Sequence, residues 1–243
     1  MRMMVFAKRN FKEIVRDPLN LSFLFGFPVV LLLLLSAIQA NIPVSMFEIE
    51  HLAPGVMVFG LAFLTLFSAT LIAKDRQSSF MHRLYTTPMT SVDFILGYAL
   101  PMIPVAVAEG VACYVFAAIL RLEISINMLL SILLIIPIAL FYIALGLLCG
   151  SIFNDKQVGG ICGALLTNLS AWLSGIWFDL ALVGGVFEQI ANLLPFVHAV
   201  ELQRAVIAGH YDAVFPHLWW VLGYAIGILV AAVLVFLRQM KKQ

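Results

Sequence analysis

Six runs of about twenty consecutive apolar residues constrain the fold of this sequence more than any other feature. A hydrocarbon core of about 30 Å is crossed by a helix of about 20 residues. Because a lipid-exposed backbone must satisfy its hydrogen bonds internally, and because the runs lack period-two alternation, we predict helices and not barrel strands. The sequence therefore predicts an all-α integral membrane bundle with spans at 19–38, 53–73, 94–120, 128–150, 158–178 and 217–237.

The composition excludes several classes of function. A hydrophobic content of 63% rules out an ordinary soluble globule, and a net charge of +1 provides no overall basic field to hold nucleic acid. Cys113, Cys149 and Cys162 all lie in apolar runs without the C-x-x-C spacing of a metal or redox site, so we expect small core residues.

The positions of lysine and arginine predict the orientation. With an even number of spans, 12 of the 14 basic residues fall on the side of the termini, and only Arg121 and Arg204 fall opposite. Cytoplasmic loops carry the excess of basic residues. We therefore expect a multi-pass protein of the cell inner (plasma) membrane with both termini in the cytoplasm.

Residues 1–18 form a separate predicted element, ahead of the six-span domain at 19–243. Met4, Ala7, Phe11, Ile14 and Val15 share one face of a helix, while basic residues line the other. Such a helix is typical of the cytoplasmic membrane interface, although the segment could also be a basic flank that only orients the first span. Asp17-Pro18 is predicted to end it.

Two connections are longer than the others. Residues 74–93 form a polar cytoplasmic loop. Residues 179–216 form an outer segment that is too apolar for a solvated loop and is interrupted by Pro195, Gly209 and Pro216. We predict short broken helices at 186–194 and 197–208, which dip into the outer leaflet or cap a pore mouth.

This arrangement resembles the ABC-2 type transporter permeases over essentially the whole chain. The residues that carry the resemblance are Ala73-Lys74-Asp75-Arg76-Gln77, Arg83-Leu84-Tyr85-Thr86-Thr87-Pro88-Met89, Leu194-Pro195, Arg204 and Gly209. The resemblance implies a permease that pairs as a homodimer, or with a second permease, and binds a separate ABC ATPase subunit. It also implies export of an amphipathic or hydrophobic molecule, such as a drug, lipid or glycan, from the cytoplasm or inner leaflet.

The sequence contains no phosphate-binding loop of the form G-x-x-x-x-G-K-[ST]. We therefore expect a non-enzymatic chain that binds no cofactor or metal, with ATP and Mg on the partner subunit. Two alternatives stay open. The chain could be a secondary, ion-coupled transporter, or a membrane anchor or sensor subunit that transports nothing.

Coupling to the ATPase is predicted in the cytoplasmic loop, where an apolar stripe needs a groove to fill. By resemblance this is the coupling helix, although a solvated turn would also satisfy the sequence. The candidate coupling residues are Asp75, Arg76, Phe80, Arg83, Leu84, Tyr85, Thr87 and Pro88.

A substrate pathway is predicted on the second and fifth spans, where aromatic rings and one amide recur at helical spacing. Its candidates are Phe59, Phe63, Phe67, Asn168 and Trp172, although each phenylalanine could equally face lipid or a neighbouring helix.

Two further features lie within the spans. Gly159 and Gly163 are predicted to allow close helix packing, within the subunit or across the dimer. Glu109 needs a cationic partner or a proton, and we expect a structural role with a basic group of the N-terminal helix, with a substrate or proton role as the alternative.

Overall fold

The computed structural model describes residues 2–42, 47–78 and 89–240, and the regular secondary structure in these ranges is entirely helical. The all-α prediction is thereby confirmed for this part of the chain. The helices are α1 Arg2–Val15, α2 Pro18–Gln39, α3 Ile49–Gln77, α4 Ser91–Ala99, α5 Met102–Ile119, α6 Ile126–Ile152, α7 (residues 155–173), α8 Leu180–Val183, α9 Gly185–Leu193, α10 Pro195–Ile207 and α11 Tyr211–Met240.

Two of these helices contain π-helical turns. Ser22–Gly26 is a π segment within α2, and Gly159–Leu166 is a longer one within α7. Each π turn is continuous with α-helix on both sides, so α2 and α7 are each treated as one helix. Such π bulges occur frequently at functional sites.

Five helices in the described ranges are long and apolar enough to cross a membrane: Pro18–Gln39, Ile49–Gln77, Val92–Ile119, Ile126–Ile152 and Tyr211–Arg238. The fifth predicted span, 158–178, is not among them. Its helix α7 ends at Leu173, and polar residues such as Lys156 and Asn168 interrupt its apolar surface. A sixth span therefore stays a prediction.

α3 is the centre of the bundle. In its most apolar stretch 89% of the residues are buried, compared with 17% in the corresponding stretch of α2 and 22% in that of α11. Close packing against α6 depends on glycine: a Cβ added at Gly150 would lie 2.6 Å from the carbonyl oxygen of Ala69. Across the same contact, Thr65 donates a hydrogen bond to the carbonyl of Tyr142 at 3.0 Å. Backbones that approach this closely define α3 and α6 as the core pair.

The outer segment is more helical than predicted and is integrated into the bundle. α10 begins at Pro195, which occupies the first helical turn, where its missing N–H removes no helix bond. Gly209, with a φ of +75°, follows the end of α10 as predicted. The predicted break at Pro216 is wrong: this proline lies inside α11, one turn after its first residue, and the helix continues through it although one backbone hydrogen bond is lost.

α10 is fixed to the bundle by buried polar contacts. The guanidinium of Arg204 donates to the carbonyls of His51 at 3.2 Å and Gly175 at 3.1 Å. The preceding residue, buried Gln203, joins Tyr114 of α5 and Ser131 of α6 in a hydrogen-bonded cluster. Because each buried polar group in these contacts finds a partner, α10 is a structural part of the end of the bundle opposite residues 74–78, which is called the outer end from the sequence-based orientation.

Candidate functional site

The structure describes the predicted coupling loop only where it leaves α3 and where it enters α4. Six of its candidates lie outside the described residues: Phe80, Arg83, Leu84, Tyr85, Thr87 and Pro88. The other two, Asp75 and Arg76, lie in the last turn of α3. The structure therefore shows how the loop is attached to the bundle.

Asp75 is occupied by contacts within the chain. Its side chain is almost fully buried and accepts hydrogen bonds from both terminal nitrogens of Arg9, at 2.6 and 2.9 Å, and from the hydroxyl of Tyr98 at 2.9 Å. Burial acts to lower the pKa of Arg9, but the hydrogen bond and charge of Asp75 outweigh it, and the pKa of Arg9 is raised. This bidentate ion pair between Arg9 and Asp75 joins α1 to α3 at the start of the loop.

α1 also docks directly onto α4. The Phe6 ring packs edge-on against Tyr98 with ring centres 4.9 Å apart, and the Asn10 amide donates to the carbonyl of Gly97 at 2.9 Å. A Cβ at Gly97 would lie 2.3 Å from Phe6 Cδ1, so glycine makes this contact possible. The predicted apolar face of α1 is divided: Ala7 and Ile14 are buried, whereas Met4, Phe11 and Val15 are exposed.

Arg76 attaches the loop to a second helix. Its guanidinium donates to the carbonyl of Gly150 at 2.8 Å and to that of Phe153 at 3.4 Å, at the C-terminal end of α6. A cation is favourable there because the last carbonyls of a helix carry partial negative charge. The two adjacent residues Asp75 and Arg76 therefore tie the loop to α1 and α4 on one side and to α6 on the other.

The three predicted pathway phenylalanines form an internal column. Successive ring centres lie 5.8 Å apart for Phe59 and Phe63, and 6.5 Å apart for Phe63 and Phe67. Phe27 of α2 covers the column, 5.8 Å from Phe63, and Trp177 extends it at the outer end, 5.7 Å from Phe59. All three phenylalanines are buried, so within one chain they are part of the core.

The other two pathway candidates lie on a separate, exposed face of α7. The Asn168 amide donates to the carbonyl of Ala164 at 2.7 Å, and Trp172 is 55% exposed. The structure does not bring these residues onto one surface with the phenylalanine column. The nearest link is at the outer end, where Trp172 lies 6.0 Å from Phe178, the neighbour of Trp177.

The two glycines of α7 have different surroundings. A Cβ on Gly163 would meet the Leu66 side chain of α3 at 3.3 Å, so this glycine packs within the chain. Around Gly159 there is open space: apart from its chain neighbours and the backbone of its own helix, no described atom lies within 4 Å of the added Cβ. Of the predicted pair, only Gly159 is therefore free to face another molecule.

Glu109 is completely buried between α5, α3 and α2. Its Oε1 accepts a hydrogen bond from the Cys113 thiol at 3.2 Å, and Oε2 has no hydrogen-bond partner among the described residues. Gly60 makes room for the carboxyl group, since a Cβ there would lie 2.1 Å from Oε1. Among the described residues, the expected pairing of Glu109 with a basic group of the N-terminal helix is not formed, because Arg9, the basic residue of α1 that reaches the bundle, is paired with Asp75.

A cavity of 560 Å³ lies at the outer end of the bundle, between the turn after α7 and α10. Trp177 and Phe178 form its aromatic wall, and Asp179, Glu188 and Glu201 contribute carboxylates. Glu201 is paired with Arg204 at 2.8 Å. The outer cavity is thus separated from the start of the loop by the length of the phenylalanine column.

The geometry defines a helical membrane protein with several spans. At the end of α3, where the 74–93 loop begins, Asp75 and Arg76 attach the loop to α1, α4 and α6. Comparison with protein families identifies the protein further: residues 1–208 match the model of the ABC-2 type transporter family. The match spans most of the chain, so the protein belongs to this family, whose members are the membrane permeases of ABC-type transporters. A search of curated proteins finds no match.

Proposed function

We propose that the chain is the permease subunit of an ATP-driven exporter in the cell inner membrane, with both termini in the cytoplasm. Two copies form a homodimer, and each binds a separate ABC ATPase subunit that holds ATP and Mg. Family membership and the absence of a phosphate-binding loop in the sequence support the assignment of transport to this chain and of ATP hydrolysis to a separate subunit.

The attachment of the cytoplasmic loop is the observation that carries the proposal. Movement of the loop acts on Asp75 and Arg76, which are neighbours at the end of α3. Asp75 transmits it to α1 and α4 through Arg9 and Tyr98, and Arg76 transmits it to α6. Because α3 and α6 are the core pair, an ATPase that displaces the loop would move the centre of the bundle and not only its surface.

The exposed face of α7 supports a paired permease. Oδ1 of Asn168 accepts no hydrogen bond from the described residues, and an unpaired amide oxygen in hydrocarbon costs several kcal/mol. Gly159 leaves room beside the same helix for a second backbone. We place the dimer contact and the substrate route along this face, with Trp172 offering aromatic surface to a hydrophobic or amphipathic cargo.

The phenylalanine column would join this route when α2 moves. α2 is the least buried of the five long apolar helices, and its π turn at Ser22–Gly26 lies next to Phe27, which covers the column. A small displacement of α2 would uncover Phe59 and Phe63 without breaking the core pair.

Purification of the tagged full-length chain from its native membranes tests the proposal. We expect an ABC ATPase subunit at one-to-one stoichiometry and ATP hydrolysis only in the assembled complex. Leu84→Asp should weaken ATPase binding about 30-fold, since losing one buried anchor costs roughly 2 kcal/mol.

The matched control for this variant is Leu182→Asp, at an exposed leucine of α8 on the outer segment. It makes the same substitution far from the loop and should bind the ATPase like the wild type. Equal binding by both variants, or hydrolysis by the isolated chain, would contradict the proposal.

One observation favours the ion-coupled alternative. The unpartnered Oε2 of Glu109 is the kind of intramembrane polar group that proton pathways use. Transport driven by a proton gradient in vesicles that contain only this chain, and abolished by Glu109→Gln, would establish that alternative and refute the exporter.

A further inference from the structure

α1 has three surfaces, and the described residues of the chain pack against only one of them. Phe6, Asn10 and Ile14 face the bundle and are buried. The remaining arc of the helix is exposed from Met4 to Arg16. Within the described part of the chain, the remaining arc of α1 has no packing partner.

The exposed arc consists of an apolar stripe beside a basic row. Met4 is 62% exposed, Phe11 39% and Val15 49%, and they lie close together on the helix because they are separated by seven and four residues. Lys8, Lys12 and Arg16 follow at intervals of four residues, and all three are exposed. At 1.5 Å per residue, successive basic residues are about 6 Å apart along the axis.

The charges of the basic row are not neutralised within the described part of the chain. Three carboxylates lie near the row, and each is engaged elsewhere: Asp75 and Glu13 pair with Arg9 at 2.6 Å, and Asp17 accepts hydrogen bonds from the backbone and side-chain amides of Asn20. The three described ion pairs leave Lys8, Lys12 and Arg16 without a carboxylate partner. A recess of 980 Å³ runs along this row to the start of α2 at Pro18, with Glu13 and Asp17 on its wall as well, and provides room for a ligand beside the basic side chains.

We propose that α1 binds the headgroups of anionic phospholipids in the cytoplasmic leaflet. The basic row lies at the level of the phosphates, and the apolar stripe reaches into the boundary of the acyl chains. Water alone would leave the apolar stripe exposed, and an acidic protein surface would give the stripe no counterpart. An anionic bilayer surface provides both chemistries side by side, in the order in which the helix presents them.

The docking of α1 strengthens this interaction. An isolated amphipathic helix must fold when it meets a membrane, whereas α1 is held in place by the Arg9–Asp75 pair and by the contact of Phe6 with Tyr98. The basic side chains are therefore fixed in one row before the lipid arrives, and little ordering entropy is lost on binding.

The test uses the purified full-length chain in a neutral detergent and counts bound lipids by native mass spectrometry. Dioleoylphosphatidylglycerol is titrated in one arm and dioleoylphosphatidylcholine in the other. Each basic residue near an anionic surface contributes about 1 kcal/mol, or roughly fivefold in affinity. Lys8→Gln/Lys12→Gln should therefore bind phosphatidylglycerol about 25-fold more weakly, with no change for phosphatidylcholine.

Two controls separate the charges of α1 from charge in general. Lys156→Gln/Arg238→Gln removes two exposed basic residues elsewhere on the side of the termini and should keep wild-type affinity within about twofold. Lys8→Arg/Lys12→Arg keeps the charges and should also bind like the wild type. Wild-type phosphatidylglycerol affinity in Lys8→Gln/Lys12→Gln would overturn the proposal.

Three further outcomes would also overturn it. The first is an equal loss of lipid affinity in the two glutamine variants. The second is displacement of the lipid by millimolar inorganic phosphate, which would indicate an anion site without lipid recognition. The third is a loss of ATPase-subunit binding in Lys8→Gln/Lys12→Gln with lipid binding unchanged, which would assign the face to that protein.

Discussion

Replacing Asp75 by asparagine should destabilise the chain by about 2 kcal/mol. The substitution keeps the size of the side chain and its contact with Tyr98, but among the described residues it leaves the Arg9 guanidinium with only the more exposed Glu13 as a charged partner. Breaking a buried ion pair costs about 3–5 kcal/mol, and an exposed pair contributes less than about 1 kcal/mol. Arg9 is 36% exposed and can regain part of its hydration, so an intermediate value is expected. This corresponds to a fall in Tm of about 4–8 °C.

A double-mutant cycle on thermal unfolding tests this reasoning. Arg9→Gln should cost more than Asp75→Asn, about 3 kcal/mol, because it leaves the more deeply buried carboxylate without a cation. The double variant should lose clearly less than the sum, with a coupling energy of about 1.5–2 kcal/mol. Lys8→Gln, an exposed change on the same helix, should shift stability by less than about 0.5 kcal/mol. Additive losses would refute the view that this pair holds α1 on the bundle.

Two further predictions concern helix packing and pH. Gly150→Ala should destabilise the chain by roughly 1–3 kcal/mol, because its Cβ would press on the Ala69 backbone, whereas Gly223→Ala meets open space and should be neutral or slightly stabilising in thermal unfolding. Burial lowers the pKa of His198 below its ordinary 6.5, so the stability linked to this group is present above about pH 6.5 and is lost as the pH falls through the folded-state pKa. Unfolding measured from pH 7.5 to 5 should decline less in His198→Gln, and equal slopes would exclude this histidine as the cause.

Helix type and approximate position were predictable because both depend on local apolarity. The run at 53–73 indicated α3, and the structure extends it to Ile49–Gln77 because polar turns can continue a helix beyond its apolar part. The span predicted at 158–178 extends beyond the end of α7, because apolarity also continues past the end of a helix. The apolar residues after Leu173 belong to an irregular turn at Gly175, whose φ of +71° ends the helix.

The attachment of the loop could not be predicted, because it depends on contacts between residues far apart in sequence. Arg9 and Asp75 are 66 residues apart, and nothing in either local pattern indicates the other. Helical periodicity identified an apolar face on α1, but not how it is divided between the bundle and the exterior. The buried Asn10 amide finds its acceptor in the carbonyl of Gly97 on α4, next to the space that this glycine leaves for Phe6.

The face of α7 shows the same limit. Asn168 was identified by an elementary argument, that an amide is costly in hydrocarbon. The prediction that it shares a surface with the phenylalanine column assumed that the two helices turn these residues toward each other. Within one chain they do not, since Phe63 is buried and Trp172 is exposed.

The accessibility of Asn168 in native membranes tests the central claim most directly. Asn168→Cys, in a background that replaces Cys113, Cys149 and Cys162 by alanine, is treated with a water-soluble maleimide with and without ATP and vanadate. We predict labelling whose rate changes several-fold when nucleotide is trapped, because the reactive thiolate forms only where water enters. Ile226→Cys, at an exposed apolar position of α11, should remain unlabelled in both states. Absent labelling of Asn168→Cys, or an equal rate with and without nucleotide, would contradict an ATP-driven pathway along α7.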